Sequence, residues 1–145
     1  MLVVEPIRNE DVDAVADLAA RTMSEHYDPE WLAAHAAGRG PFWVARDVER
    51  NELVGFALAG RNGAEGHLLA IGVDAARRHR GIGSALVRTV RNDLARSGAF
   101  RLTLEVRAED TAAQAFYSRH GFAPEGLEAA VYRDGGDAVK MARPL

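Results

Sequence analysis

A short segment rich in glycine and arginine, Arg78-His79-Arg80-Gly81-Ile82-Gly83, has residue types suited to binding an anion. It follows an apolar run typical of a strand and precedes a periodic pattern typical of a helix. A loop in this position directs backbone N–H groups and the positive end of the helix dipole toward one point. Glycine allows a ligand to approach the backbone, and arginine adds positive charge. The segment predicts a phosphate or pyrophosphate site, and a tight turn with solvated arginines fits the same residues.

The residues around Gly83 exclude two common phosphate-binding loops. A P-loop requires lysine and then serine or threonine after its last glycine, whereas Ser84 follows Gly83 directly. A dinucleotide-binding fingerprint requires a third glycine at the position of Leu86, and it normally opens the first strand–helix–strand unit of a chain. The segment lies in the middle of this chain, so a phosphate ligand of another kind is expected.

Hydrophobic periodicity predicts the elements that position this loop. Their expected order is strand, two helices, three strands, helix, strand, helix and two strands, which is an α/β fold with a mixed sheet. Without a repeat or a long linker, residues 1–145 are expected to form one domain. The predicted strands are residues 2–7, 42–48, 53–59, 67–73, 100–106, 129–133 and 138–143, and the predicted helices start near residues 12, 29, 82 and 111.

Composition narrows the class of protein further. The 145 residues are 48% hydrophobic and 27% charged, as in an ordinary soluble domain. The formal net charge of -3 argues against a nucleic-acid partner, and the absence of cysteine excludes thiolate chemistry. The five histidines are scattered, so no metal site is expected. No apolar run approaches the roughly 20 residues of a membrane span, and no signal peptide is recognisable, which predicts a cytoplasmic protein.

Two motifs in this chain resemble those of the GNAT N-acetyltransferases. Arg78-x-x-Gly81-x-Gly83 is similar to the family's Arg/Gln-x-x-Gly-x-Gly/Ala loop, which binds the pyrophosphate of acyl-CoA. Tyr117-x-x-x-Gly121-Phe122 is similar to the end of a later family helix that is rich in aromatic residues. Leu104-Glu105-Val106-Arg107 resembles the corresponding segment of ribosomal-protein N-terminal alanine acetyltransferases. The resemblance spans the whole chain and agrees with the predicted order of elements.

This resemblance implies a mixed, mostly antiparallel sheet with a central parallel pair of strands that splay apart, flanked by about four helices. It also implies that acetyl-CoA is a co-substrate, that no metal takes part, and that an amine attacks the thioester directly. The backbone of the strand before the loop would hold the pantetheine arm, and the loop would hold the pyrophosphate. The implied donor-binding residues are Ile71, Gly72, Val73, Arg78, His79, Arg80, Gly81, Ile82, Gly83, Ser84, Asp110 and Gln114.

Tyr117 is the candidate general acid that the resemblance implies. A phenol has an ordinary pKa of about 10, so at neutral pH it is protonated and able to donate to a departing thiolate. The other interpretation is a helix tyrosine that packs against Phe116 and Phe122.

Glu105 is the candidate general base, acting directly or through a water. An amine arrives protonated and must lose a proton before it attacks. Arg101, Thr103 and Arg107 lie on the same face of the predicted strand, so a structural ion pair is an open alternative for Glu105. Glu65 and His67 are weaker candidates for the base.

Asp110 departs from the family pattern, because many relatives have asparagine at this position. Aspartate caps a helix equally well, but its charge would repel a phosphate. The acceptor is expected to be a small-molecule or peptide amine, with no nucleic acid or membrane as partner, and a homodimer is possible. Six residues are candidates for the acceptor side: His26, Tyr27, Trp31, Glu125, Glu128 and Tyr132.

Two other functions fit the same residues. A longer acyl-CoA would serve as donor if the acyl pocket is deep. A non-catalytic module that senses acyl-CoA would keep the loop without turnover, although such a module would have no need of Tyr117.

Overall fold

A computed structural model describes residues 1–23, 26–38 and 40–145 of the chain. These residues form one mixed sheet with helices on both faces. In chain order the elements are β1 (Leu2–Pro6), α1 (Val12–Thr22), α2 (Pro29–Ala37), β2 (Phe42–Asp47), β3 (Glu52–Asn62), β4 (Glu65–Val73), α3 (Ile82–Arg96), β5 (Arg101–Arg107), α4 (Thr111–Arg119), β6 (Ala123–Glu128) and β7 (Ala138–Pro144).

The sheet has seven strands in the order β1-β2-β3-β4-β5-β7-β6. Neighbouring strands are antiparallel except β4 and β5, which form the parallel pair at its centre. The expected fold class is therefore confirmed. Residues 74–81, α3 and its following turn connect β4 to β5, and the crossover places the start of α3 beside the end of β4.

Two hydrophobic clusters sandwich the sheet. Ile82, Leu86, Val90 and Leu94 recur every four residues and bury one face of α3 against it. On the opposite face, Leu18 of α1 and other apolar side chains of α1 and α2 form a second cluster with β2 and β3. Burial on both faces makes the sheet a rigid support for its central strands.

The structure corrects two local predictions. Residues 129–133 are not a strand; the strand before β7 is β6, at Ala123–Glu128. The sequence does not predict β6, because Pro124 and Gly126 disfavour strands. An edge strand tolerates both residues, and the pairing of β6 with β7 is irregular between them. Phe100 lies outside β5 and is 60% exposed. Asp110 is the N-cap of α4.

Candidate active site

The two parallel strands at the centre of the sheet pair over only three residues each. Glu65 pairs with Arg101, Gly66 with Leu102, and His67 with Thr103. Beyond this point β4 continues to Val73 and β5 to Arg107 without pairing to each other. The strands therefore fork, as expected, and the facing edges of the fork offer backbone groups to a ligand.

A bulge at Leu69 changes the direction of β4 inside the fork. Leu58 pairs with Ala70 and Ala59 with Leu68, so Leu69 is the additional residue between two aligned pairs. As a result Leu68 packs in the cluster that includes α3, whereas Ala70 packs in the cluster that includes α1. The sequence does not predict this bulge, because an apolar run without alternation gives no information on where a bulge lies.

The fork opens into a cavity of about 410 Å³. Both strands contribute to its walls, and side chains from α4 and from the segment after α1 close its sides. Among the lining residues are Thr22, Tyr27, His67, Glu105, Asp110, Tyr117 and Tyr132. The predicted general acid and the predicted general base therefore line one cavity, together with some of the residues predicted for the acceptor side.

The glycine and arginine loop adopts left-handed backbone geometry at two positions. His79 has a φ of 65° and Gly81 a φ of 81°, after which α3 begins at Ile82. Apart from Gly81 and its two chain neighbours, no described atom lies within 4 Å of the position that a Cβ of Gly81 would occupy, so the loop is open on this side. The first N–H groups of a helix have no partner within it, so those at the start of α3 are available to a ligand.

The arginines of the loop have different partners. Arg77 donates to Asp74 at 2.6 Å and to Glu52 at 2.8 Å, which anchors the turn before the loop. Arg78 and Arg80 are exposed, and in the described part of the chain neither has an ion pair. Their charge is available to an anion on the loop.

Gly83 and Ser84, in the first turn of α3, contact α4. A Cβ on Gly83 would lie 3.4 Å from the ring of Phe116, so the glycine accommodates this ring as well as any ligand. The Ser84 Oγ lies 3.0 Å from His120 Nε2. Burial, together with Arg91, Arg88, Arg119 and Arg143, lowers the pKa of His120. The hydrogen bond between Ser84 and His120 orients the Ser84 side chain at the start of α3.

Arg91 contributes unpaired charge near the same helices. Its Nε atom is buried, and among the described residues it has no hydrogen-bond partner. Burial lowers the pKa of Arg91, and the nearby Arg143 and Arg88 lower it further. The second half of α3 therefore lies among several arginines, which include Arg88 and Arg143.

Tyr117 is 9% exposed and lines the cavity. Its ring packs edge-on against Phe116 at 5.2 Å and Phe122 at 5.7 Å between centroids. Burial raises the pKa of the Tyr117 phenol well above 10, and the carboxylate of Asp110 raises it further. The Tyr117 ring thus packs in the core, and its protonated hydroxyl belongs to a side chain that lines the cavity.

Glu105 is exposed and lines the same cavity. The flanking arginines bind other carboxylates: Arg101 donates to Glu125 at 2.8 Å, and Arg107 to Asp134 at 3.0 Å. Within the described residues no hydrogen bond or ion pair reaches Glu105. In the described structure Glu105 therefore does not form the ion pair that was the alternative to a role as general base.

Asp110 and Gln114 both stabilise the start of α4. Asp110 accepts from the backbone N–H of Ala113 at 3.0 Å. The Gln114 Nε2 donates to the carbonyls of Arg107 and Ala108, each at 3.0 Å. Asp110 also lines the cavity, whereas the amide of Gln114 is engaged by the turn after β5.

The predicted acceptor residues are only partly brought together. Tyr27 and Tyr132 line the cavity, and Arg107 lies 4.1 Å from the centroid of the Tyr132 ring. Trp31 packs against His35 at 4.2 Å between centroids. Glu125 is held by Arg101, which lowers the pKa of its carboxyl and neutralises its charge. Tyr27 and Tyr132 are therefore the acceptor candidates that the cavity retains.

Within residues 1–23, 26–38 and 40–145, no group of three or more histidine, aspartate or glutamate side chains is arranged to hold a metal ion. The helices of these residues are too short or too polar to cross a bilayer.

Residues 12–122 match the family model described as the acetyltransferase (GNAT) family. The chain is 43% identical to the N-alpha-acetyltransferase RimI of Mycobacterium tuberculosis over 96 residues, which cover 63% of this chain and 59% of that protein. The crystal structure of the ribosomal-protein-S18-alanine N-acetyltransferase from Escherichia coli superimposes with a TM-score of 0.89 and 26% identity, covering 99% of this chain and 94% of that one. Arabidopsis thaliana NAA60 in complex with acetyl-CoA shares the fold, with a TM-score of 0.90, 20% identity and coverage of 100% and 99%.

Proposed function

The chain belongs to the acetyltransferase (GNAT) family, and we propose that the fork between β4 and β5 is the place where it acetylates the free α-amine of a peptide or small molecule. It is an acetyl-CoA-dependent N-acetyltransferase, and acetyl-CoA supplies the acetyl group as a thioester. The observation that carries the proposal is the cavity at the fork, because Tyr117 and Glu105 line it together.

The donor is proposed to lie along β4 and the loop that follows. Backbone groups of residues 71–73 would hydrogen-bond the pantetheine arm, since no strand pairs with this edge of β4 in the described sheet. The backbone of residues 79–84, with Arg78 and Arg80 beside it, would hold the pyrophosphate. Asp110 is proposed to act as a helix cap that faces the cavity, and Gln114 to position the turn beside it.

Tyr117 is proposed to protonate the departing thiolate. Its buried phenol stays neutral over the whole physiological range because its pKa is raised. The apolar surroundings that raise this pKa also penalise a thiolate formed nearby, so the proton is drawn to the sulfur as the C–S bond breaks.

The pH dependence of the reaction tests this role of Tyr117. A general acid is active when protonated, so activity is lost as pH rises through its pKa. Because burial raises the pKa of Tyr117, we expect no loss of kcat through its ionisation up to about pH 10. The measurement is kcat at saturating substrates from about pH 7 to about pH 10. A decline centred below this limit that vanishes in Tyr117→Phe would contradict the assignment.

Glu105 is proposed to accept a proton from the incoming amine. It is exposed at the cavity and unpaired among the described residues, so it is able to attract a cationic amine and to pass the proton to solvent. The carboxylate lies on β5, whose pairing with β7 along its length holds it in place.

Replacing Glu105 with glutamine tests this role. We expect kcat to fall by about 10²-fold, because the amide retains the shape of the side chain but accepts no proton. Glu10→Gln is the matched control, since Glu10 is also an exposed glutamate without an ion pair in the described chain and lies outside the cavity walls. Initial rates of CoA release provide the measurement, and an equal kcat in Glu105→Gln and the unmodified protein would rule out the base.

The acceptor class follows from the relatives and is tested by a panel of amines. Two similar proteins are named N-alpha-acetyltransferase and ribosomal-protein-S18-alanine N-acetyltransferase. We therefore expect a peptide with a free N-terminus to be acetylated faster than the same peptide with a blocked N-terminus and an internal lysine. A polyamine completes the panel. Preferential acetylation of lysine or of the polyamine, detected by mass spectrometry, would contradict an α-amine acceptor.

We propose further that residues 1–145 act as one catalytic domain and that the protein is cytoplasmic. Two measurements decide between a monomer and a homodimer, and between acetyl and a longer acyl group as the one preferred. No finding supports a non-catalytic acyl-CoA sensor as the alternative. Light scattering of the purified protein tests the homodimer, and competition between acetyl-CoA and longer acyl-CoA donors tests the acyl preference.

A further inference from the structure

Lys140 on β7 is the only lysine in the sequence, in which the remaining 17 of 18 lysine and arginine residues are arginine. An arginine guanidinium stays protonated in proteins and is therefore unable to attack a thioester. A lysine amine attacks a thioester once it has lost a proton. Lys140 therefore carries the one side-chain amine of the sequence that an acetyl donor is able to acetylate.

Lys140 lies directly opposite Glu105 where β7 pairs with β5. Residues that face each other across an antiparallel pair have their side chains on the same face of the sheet, with Cβ atoms about 4.5–5.5 Å apart. Glu105 lines the cavity at the fork. The side chain of Lys140 therefore begins on the face of the sheet where the acceptor amine is proposed to lie.

A long ion pair restrains the Lys140 ammonium only weakly. The Lys140 Nζ lies 4.0 Å from Glu125 Oε1, at the outer limit of an ion pair. Arg101 binds the same carboxylate more closely, at 2.8 Å. The Lys140 side chain is 36% exposed, and an ion pair of this length in contact with water contributes little free energy. Rotation of the flexible four-carbon stem of Lys140 therefore releases the ammonium from Glu125 at little cost.

Glu105 offers the released ammonium a second carboxylate. It is exposed, and in the described part of the chain it has no hydrogen bond or ion pair. Because Lys140 is the cross-strand neighbour of Glu105, a change of the Lys140 rotamer brings the ammonium toward this carboxylate. Glu105 is proposed to accept a proton from the incoming amine, so an ammonium beside it occupies the place of the acceptor.

We propose that the protein acetylates its own Lys140 Nζ within one chain, an inference that rests on the proposed function. Glu105 takes one proton from the Lys140 ammonium, and the neutral amine forms a C–N bond to the thioester carbonyl carbon of acetyl-CoA. Tyr117 donates its proton to the sulfur as the C–S bond breaks. The second proton leaves the nitrogen for water, Glu105 releases its proton to solvent, and Tyr117 regains one. The products are acetylated Lys140, CoA and one proton.

Incubation of the purified protein with saturating acetyl-CoA and no acceptor tests this inference. We expect mass spectrometry to show an added acetyl group, which peptide mapping places on Lys140, and Lys140→Arg to lack this group. Because donor site and acceptor lie in the same chain, the first-order rate constant should stay the same when the protein is diluted about tenfold. An unmodified Lys140, or a rate constant that rises with protein concentration, would overturn the inference.

Three variants distinguish enzymatic transfer from spontaneous acetylation of an accessible lysine. Arg96→Lys is the matched control, because it adds an exposed lysine at the last residue of α3, at the opposite end of this helix from the loop. We expect Lys140 to be acetylated in this variant and position 96 to remain unmodified. Glu105→Gln and Tyr117→Phe should each slow the acetylation of Lys140 by roughly 10²-fold.

Equal acetylation of positions 96 and 140, or an unchanged rate at Lys140 in both Glu105→Gln and Tyr117→Phe, would show spontaneous chemistry and refute the inference. The peptide panel separates this inference from the proposed function. Acetylation of a peptide amine without modification of Lys140 would refute self-acetylation alone. Failure of the unmodified protein to acetylate any amine would refute the proposed function itself.

Discussion

Replacement of Tyr117 by phenylalanine is expected to lower kcat by roughly 10²-fold or more while the KM for acetyl-CoA stays nearly the same. The ring is buried between Phe116 and Phe122, so phenylalanine retains its packing. Only the hydroxyl is lost, and among the described residues no hydrogen bond to this hydroxyl is broken. The expected fall in kcat therefore measures the contribution of the hydroxyl proton that the departing thiolate accepts.

Steady-state kinetics of CoA release, with thermal unfolding of the same samples, separates this effect from damage to the fold. A melting temperature equal to that of the unmodified protein confirms that the substitution leaves the packing intact. A kcat equal to that of the unmodified protein would show that Tyr117 is a packing residue and that another group, or water, protonates the thiolate.

Valine at position 81 is expected to raise the KM for acetyl-CoA by about 10- to 100-fold, which corresponds to the loss of a hydrogen bond to a charged group. Gly81 has a φ of 81°, which β-branched residues rarely adopt, and it immediately precedes α3. Strain at this position moves the backbone N–H groups at the start of α3, and the new side chain enters the open space in front of the loop.

Gly63→Val is the matched control for backbone strain. Gly63 has a φ of 60°, and no atom lies within 4 Å of its Cβ position, as at Gly81. It lies in the turn between β3 and β4, at the opposite end of β4 from the loop. Both substitutions should destabilise the fold to a similar extent, but only Gly81→Val should weaken donor binding. Equal KM values for acetyl-CoA in the two variants would show that the loop is only a turn.

The features of the site that depend on local sequence were predictable. A strand that leads into residues 78–83 and then into a helix requires the loop to lie at the start of that helix, and the structure places it there. The alternation in β5 predicted the side of the strand on which Glu105 lies, opposite the buried Leu104 and Val106. These predictions rest on neighbours within a few residues along the chain.

The features that depend on distant partners were not predictable. The identity of the carboxylates that bind Arg101 and Arg107 depends on β6 and on the turn before β7, and this is what leaves Glu105 unpaired. The bond between His67 and Thr103 joins residues 36 positions apart and depends on the register of the parallel pair. Register between strands is decided by the whole sheet, so a single sequence carries little signal for it.

Thermal unfolding with and without acetyl-CoA tests the central claim, that the fork and the loop form the donor site. Ligand at 100 times its dissociation constant should stabilise the folded protein by about 2.7 kcal/mol. For a domain of this size we expect the melting temperature to rise by roughly 5–10 °C. CoA should give a comparable rise, and adenine alone should give none. An unchanged melting temperature at millimolar acetyl-CoA would contradict the claim.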